Sequence, residues 1–203
     1  EGQDYNFRYS IGSHDGFDDF ALCDSVVPSE GGHLYFSGGS GWATSKFLPF
    51  VNTYRNSSEG VIVGVGWAGQ WMASFTTEGN HLAIKSGLEK THLRLYPGEK
   101  IRTPLTMVTF WNNSIVEGHN KLRQYIVKYS SPKPSGKDLV VPISFTSWGG
   151  TTTEHHLQYI DLVKKLDLGY DNYWVDAGWF GGPHPTLEHQ DVDDEDWYGV
   201  VGN

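Results

Sequence analysis

"YDNYWVDAGWFGG" occupies residues 170–182. An apolar, strand-like run ends in a carboxylate, Asp176, and is followed by Ala, Gly, Trp and further glycines. Asp is disfavoured inside strands, so Asp176 belongs at a strand rim. The segments before it say what kind of sheet has that rim. "LVVPISF" (139–145) reads as a short β-branched strand. Thr151 and Glu154 then have the spacing of a capping box. Leu157, Ile160, Val163 and Leu166 fall on one helical face, and Gly169 supplies the stop. Strand, helix and strand within 139–176 make a βαβ unit, whose strands run parallel. One such unit cannot cover both faces of a sheet, so residues 139–203 are expected to open a larger α/β domain.

Upstream the pattern is different. Residues 1–130 read as β, in short segments rich in Val, Ile, Thr and aromatics and separated by Gly, Asn, Ser and Pro. "GVIVGVGW" (60–67) is too short for a helix, and "QWMASFTTEGNHLAIKSGL" reads as a hairpin turning at Glu78-Gly79-Asn80. "THLRLYPGEKIRTPLTMVTFW" alternates over 92–96, turns at Pro97-Gly98 and resumes as a strand. Strands spaced this way imply an antiparallel sandwich. "VEGHNKLRQYIVKYS" (116–130) has Leu122, Tyr125, Ile126 and Tyr129 at helical spacing, so a helix closes the β region. The Pro- and Ser-rich stretch 131–138 is a linker, which sets the domains at 1–130 and 139–203.

Composition narrows the function classes. The net charge is −9, with 15 Lys and Arg against 24 Asp and Glu, which disfavours nucleic acid and anionic membrane surfaces. No apolar run approaches the ~20 residues of a membrane-spanning helix. The single cysteine, Cys23, permits neither an intrachain disulfide nor a cysteine-based zinc site. Eight tryptophans suit a protein that stacks flat sugars, although aromatics also fill large β-cores. Asn56-Ser57-Ser58 and Asn112-Asn113-Ser114 are glycosylation sequons, and the compartment stays open between cytoplasm and secretion.

In parallel α/β folds, ligands sit at the carboxyl ends of the strands. Here one strand runs into Ser147-Trp148-Gly149-Gly150 and the other into Asp176-Ala177-Gly178-Trp179. A rim carboxylate can accept hydrogen bonds from vicinal sugar hydroxyls, and indoles can cover a pyranose face. The same residues could instead cap the next segment and pack beneath loops.

"LPFVNTYRNSSEGVIVGVGWAGQW" (48–71), "THLRLYPGEKIRTPLTMVTFW" (91–111), "GYDNYWVDAGWFGG" (169–182) and "DWYGVVGN" (196–203) together resemble the α-galactosidases of glycoside hydrolase family 36, in that family's order. The resemblance implies a β-supersandwich, here its later part with a closing helix, followed by the first βαβ unit of a (β/α)8 TIM barrel. It implies retaining hydrolysis of terminal α-galactosides by two carboxylates without a cofactor. It gives Asp176 to the sugar hydroxyls, and Trp148, Trp197 and Trp179 to the walls of the sugar site. Ala177 stands where many members carry a second Asp, so the sugar specificity is open. The nucleophile and acid/base are expected beyond Asn203, so no catalytic residue is assigned and the 203-residue chain alone is expected to be inactive. The family habit of oligomerising implies a homo-oligomer when complete. An alternative is a carbohydrate-binding β-sandwich without catalysis; another is a relative, hydrolase or transglycosylase, with a different α-glycoside specificity.

Three tempting motifs are set aside. The acidic run Asp191–Asp196 reads as a solvated loop, and it lacks the spacing and glycine of a calcium loop. His184, Glu188 and His189 lie among prolines that oppose helical placement, so no metal is expected. "GVGWAG" (64–69) lacks the lysine and the helix of a phosphate loop. Trp67 and Trp71 are expected in the β-core, with a subunit or substrate contact as the alternative.

Overall fold

A computed structural model describes residues 3–147 and 153–176. The chain divides into two compact units, Glu1–Ser131 and Pro132–Asn203.

Among the described residues the first unit has eight strands. They are β1 (Tyr5–Ser10), β2 (Leu22–Val27), β3 (Glu30–Ser37), β4 (Phe50–Asn56), β5 (Glu59–Gly66), β6 (Trp71–Glu78), β7 (His81–Leu88) and β8 (Leu105–Asn112). They form a five-stranded sheet ordered β2-β1-β4-β5-β8 and a three-stranded sheet ordered β3-β6-β7. Every pairing in both is antiparallel. The expected hairpin is present: Glu78 pairs with His81, and Gly79 takes the positive φ of 57° that the turn needs.

Alternation decides which side chains face inward. Along β6, Trp71, Ala73, Phe75 and Thr77 are buried while the residues between them are not. These meet Phe36 of β3, together with Phe7, Val51, Val63 and Val65 of the larger sheet, in one continuous core. The rings of Phe7 and Phe75 meet edge to face at 5.2 Å, and those of Tyr9 and Phe36 at 4.8 Å. Strand β5 is buried continuously from Ile62 to Val65, because it is covered on both faces. Its inner face meets the core. Its outer face lies under α1 (Ile115–Tyr125). Ser114 caps that helix by accepting from the Glu117 N–H at 3.2 Å.

The second unit contains β9 (Ser144–Ser147), α2 (Thr153–Lys165) and β10 (Asn172–Val175). Strands β9 and β10 pair in parallel, with Tyr173 opposite Phe145 and Val175 opposite Ser147. Asp171 aligns them: its carboxylate accepts from the Ile143 N–H at 2.9 Å, and its own N–H donates to the Ile143 carbonyl at 2.8 Å.

Four expectations need correction. Residues 92–96 alternate but form no strand; Leu93 and Leu95 are half exposed, because no described strand lies alongside to pair with them. The turn that follows is real, closed by the Glu99 N–H to the Tyr96 carbonyl at 3.0 Å. The strand expected at 139–145 begins only at Ser144, and Val140 and Val141 are exposed. Pro142 carries no N–H for a ladder there. The closing helix is α-helical only to Tyr125, and Ile126–Ser130 continues as a wider π-type turn that leaves Tyr129 exposed. On α2 the better-covered positions are His155, His156, Ile160 and Val163, whereas Leu157 and, just past the helix, Leu166 are exposed.

Candidate functional site

The carboxyl ends of β9 and β10 lie side by side, since Ser147 and Val175 are register partners. Asp176 directly follows that last pair. Side chains on a strand alternate between faces. Tyr173 and Val175 are half buried, while Asn172, Trp174 and Asp176 are exposed. On β9, Phe145 is half buried and Ser144 and Thr146 are exposed. One face of the pair is thus aromatic and covered. The other presents Ser144, Thr146, Asn172 and Trp174 and leads to the Asp176 carboxylate.

The covered face is tightly organised. The Phe145 and Tyr173 rings stack at 5.6 Å, and Tyr159 of α2 meets Phe145 edge-on at 6.3 Å. His156 Nδ1 and the Tyr173 hydroxyl share a hydrogen bond of 2.7 Å, which ties the first turns of α2 to the middle of β10. This contact fixes the strand three residues before Asp176. Neither His156 nor Tyr173 stood out in the sequence as a pair; a tyrosine in an apolar strand carries no sign that its hydroxyl has a partner.

Of the four expected sugar-site residues, Asp176 is described, and Trp148, Trp179 and Trp197 lie outside the described residues. So do Ala177, His184, Glu188, His189 and the acidic run at 191–196. Trp71 is fully buried, and its Nε1–H donates to the Ala43 carbonyl at 2.6 Å. Trp67 is half buried against the core. Among the described residues no group of His, Cys, Asp and Glu is placed to hold a metal ion, and no helix is long and apolar enough to cross a membrane.

The first unit adds a buried polar chain. The Trp111 Nε1–H donates to Asn52 Oδ1 at 2.8 Å, and Asn52 Nδ2 approaches His119 Nε2 at 3.3 Å. His119 of α1 lines a cleft of about 360 Å³ with Arg8, Asn52, Leu122 and Arg123. Burial lowers the imidazole's pKa below its usual value, and the charges of Arg123 and Arg8 act in the same direction. The site therefore favours neutral histidine. Arg8 is itself committed to Asp24, donating from Nε at 2.8 Å and Nη2 at 2.9 Å.

A sandwich of antiparallel sheets preceding a parallel β-α-β unit is the class of fold that defines this chain. Solved structures share this fold. The chain is similar to an α-galactosidase from Lactobacillus brevis, at a TM-score of 0.69 and 14% identity over 90% of this chain. It is similar to the GH36 α-galactosidase AgaB from Geobacillus stearothermophilus, at 0.68 and 17% over 89%. A substituted GH36 α-galactosidase AgaA from the same organism, in complex with stachyose, matches at 0.65 and 15% over 89%. The chain spans about a quarter of the length of each. No family model and no curated protein matches the sequence.

Proposed function

We propose that this chain is the later part of the β-supersandwich and the opening barrel segment of a GH36-type glycoside hydrolase acting on terminal α-galactosides. In this reading Asp176 accepts hydrogen bonds from the hydroxyls of the terminal sugar, and Trp148, Trp179 and Trp197 wall the pocket. The observation that carries it is the parallel β9-α2-β10 unit, which brings Asp176 to the carboxyl end of β10 beside the end of β9. That is where barrel folds bind ligands. The stachyose complex of one structural neighbour supports an oligosaccharide as the substrate class.

The chemistry would be double displacement. One carboxylate attacks the anomeric carbon; another protonates the leaving oxygen and then activates water. Asp176 serves as a binding group in this scheme, and the reacting pair comes from later barrel strands. The test is nitrophenol release from p-nitrophenyl α-galactopyranoside. The 203-residue chain is expected to release none above background. Appreciable turnover by this chain, lost in Asp176→Ala, would overturn the assignment of the reacting pair to later barrel strands.

A further inference from the structure

We propose that the sandwich unit carries a carbohydrate-binding cleft of its own, in which a pyranose ring of an oligosaccharide stacks on the Trp42 indole. The proposal stands independently of the Asp176 reading. Loops 13–15 and 39–46 flank an open cleft of about 740 Å³, lined by His14, Asp15, Ser40, Trp42, Ser45 and Lys46. Trp42 is 74% exposed. A large apolar ring left in water forgoes the stabilisation of burial, and a pliable loop would fold it away.

This loop is not pliable. The Lys46 N–H donates to the Gly38 carbonyl at 3.0 Å, the Gly12 N–H to the Lys46 carbonyl at 2.9 Å, and the Ser13 N–H to the Thr44 carbonyl at 2.9 Å. The Ser40 and Ser45 hydroxyls bond to each other at 2.8 Å, and the Trp42 N–H donates to Ser40 Oγ at 3.2 Å. The buried Trp71 grips the Ala43 carbonyl from beneath. The two loops pack so closely that a Cβ on Gly12 would lie 1.9 Å from the Thr44 carbonyl oxygen. The facing loop is braced by Asp19, which accepts from Ser13 Oγ at 2.5 Å and from the His14 N–H at 2.9 Å.

The result is a braced backbone that presents an exposed indole in a cleft also lined by His14, Asp15, Ser40 and Lys46. An aromatic platform with convergent hydrogen-bonding groups is what a sugar requires: its C–H face lies on the ring and its hydroxyls meet Asp15 and Lys46. Preorganisation lowers the entropy lost on binding. A phosphate-rich ligand fits poorly, because Asp15 offsets Lys46 and the chain's net charge is −9.

The experiment titrates stachyose and cellotetraose into the 15N-labelled 203-residue chain carrying Asp176→Ala, which removes the other proposed sugar contact. Saturable shifts of the Trp42 indole resonance are expected with at least one probe. The Kd should rise about tenfold or more in Trp42→Ala and recover in part in Trp42→Phe, with the thermal midpoint unchanged. The proposal is overturned if neither probe produces saturable shifts, if the shifts map away from Trp42, or if Trp42→Ala binds both probes as the parent does. Loss of binding in Asp176→Ala alone would count against the proposal while supporting the barrel reading.

Discussion

The Trp111 indole lies flat against Gly118: a Cβ built on that glycine would come within 2.6 Å of the indole Cγ. From the sheet side, a Cβ built on Gly60 would come within 2.5 Å of Cζ2 of the same ring. Two glycines therefore let α1 and β5 close over Trp111. Gly118→Ala gains about 1 kcal/mol of helix propensity but forces a steric shift of about 1–3 kcal/mol. Overpacking wins, because the ring is held by its hydrogen bond to Asn52 and cannot slide. The urea midpoint of Gly118→Ala should fall relative to the parent, and an increase would show that α1 packs elsewhere.

Removing Asn52 has a second kind of cost. Asn52→Ala leaves the buried Trp111 N–H without an acceptor, a loss of about 1–3 kcal/mol beyond that of a surface change. Asn52→Asp keeps an acceptor but buries a charge next to a neutral imidazole, and it should also destabilise. Denaturant unfolding of both variants checks this; parental stability in Asn52→Ala would mean that water serves the indole equally well.

His119 gives the sandwich a pH dependence. Its folded pKa lies below the ordinary 6.5, so the unfolded chain takes up the proton first as pH falls. Its contribution is fully present above about 6.5 and is lost as pH drops below that value. Asp19, Asp24 and Glu89 have lowered pKa values and act in a more acidic range. Their contributions are present above about 4 and vanish as pH falls through their folded pKa values. Stability should therefore decline between pH 7 and 5.5 in the parent and stay flatter in His119→Gln. Equal slopes would remove His119 from the account.

The parallel pair can be tested at its seam. Asp171→Ala deletes the acceptor of the Ile143 N–H, a bond of about 1 kcal/mol. Tyr173→Phe deletes the bond to His156. Amide exchange at Ile143 should accelerate in the first variant. In the second it should accelerate at the start of α2, with the sandwich unaffected in both. Unchanged exchange would mean that neither contact holds the strands.

Sequence made the sandwich legible because alternation exposes the inward face of β6 and because Gly79 permits one kind of turn. The strand-helix-strand order was readable from the helical spacing before Gly169, which takes a positive φ of 67°, although Leu157 and Leu166 are exposed and the expected cap residue Thr151 lies outside the described residues. Boundaries failed where neighbours decide. Leu93 and Leu95 alternate like a strand but lack one beside them, and Val140 and Val141 precede a proline that delays the ladder. Of the candidate site, the place of Asp176 at the end of β10 was legible from its residue type, while Trp148, Trp179 and Trp197 lie outside the described residues. The cleft at Trp42 was not legible, because its rigidity comes from contacts between loops distant in sequence, such as Ser13 with Thr44.

The central claim is that Asp176 sits at the mouth of a sugar pocket started by two parallel strands. Its most direct measurement is calorimetric titration of methyl α-D-galactopyranoside into the chain carrying Trp42→Ala, with and without Asp176→Asn. The account predicts weak, saturable binding that falls about tenfold or more in the Asp176→Asn protein, since a carboxylate that accepts two hydroxyls is lost. Equal affinity in the two proteins would contradict it.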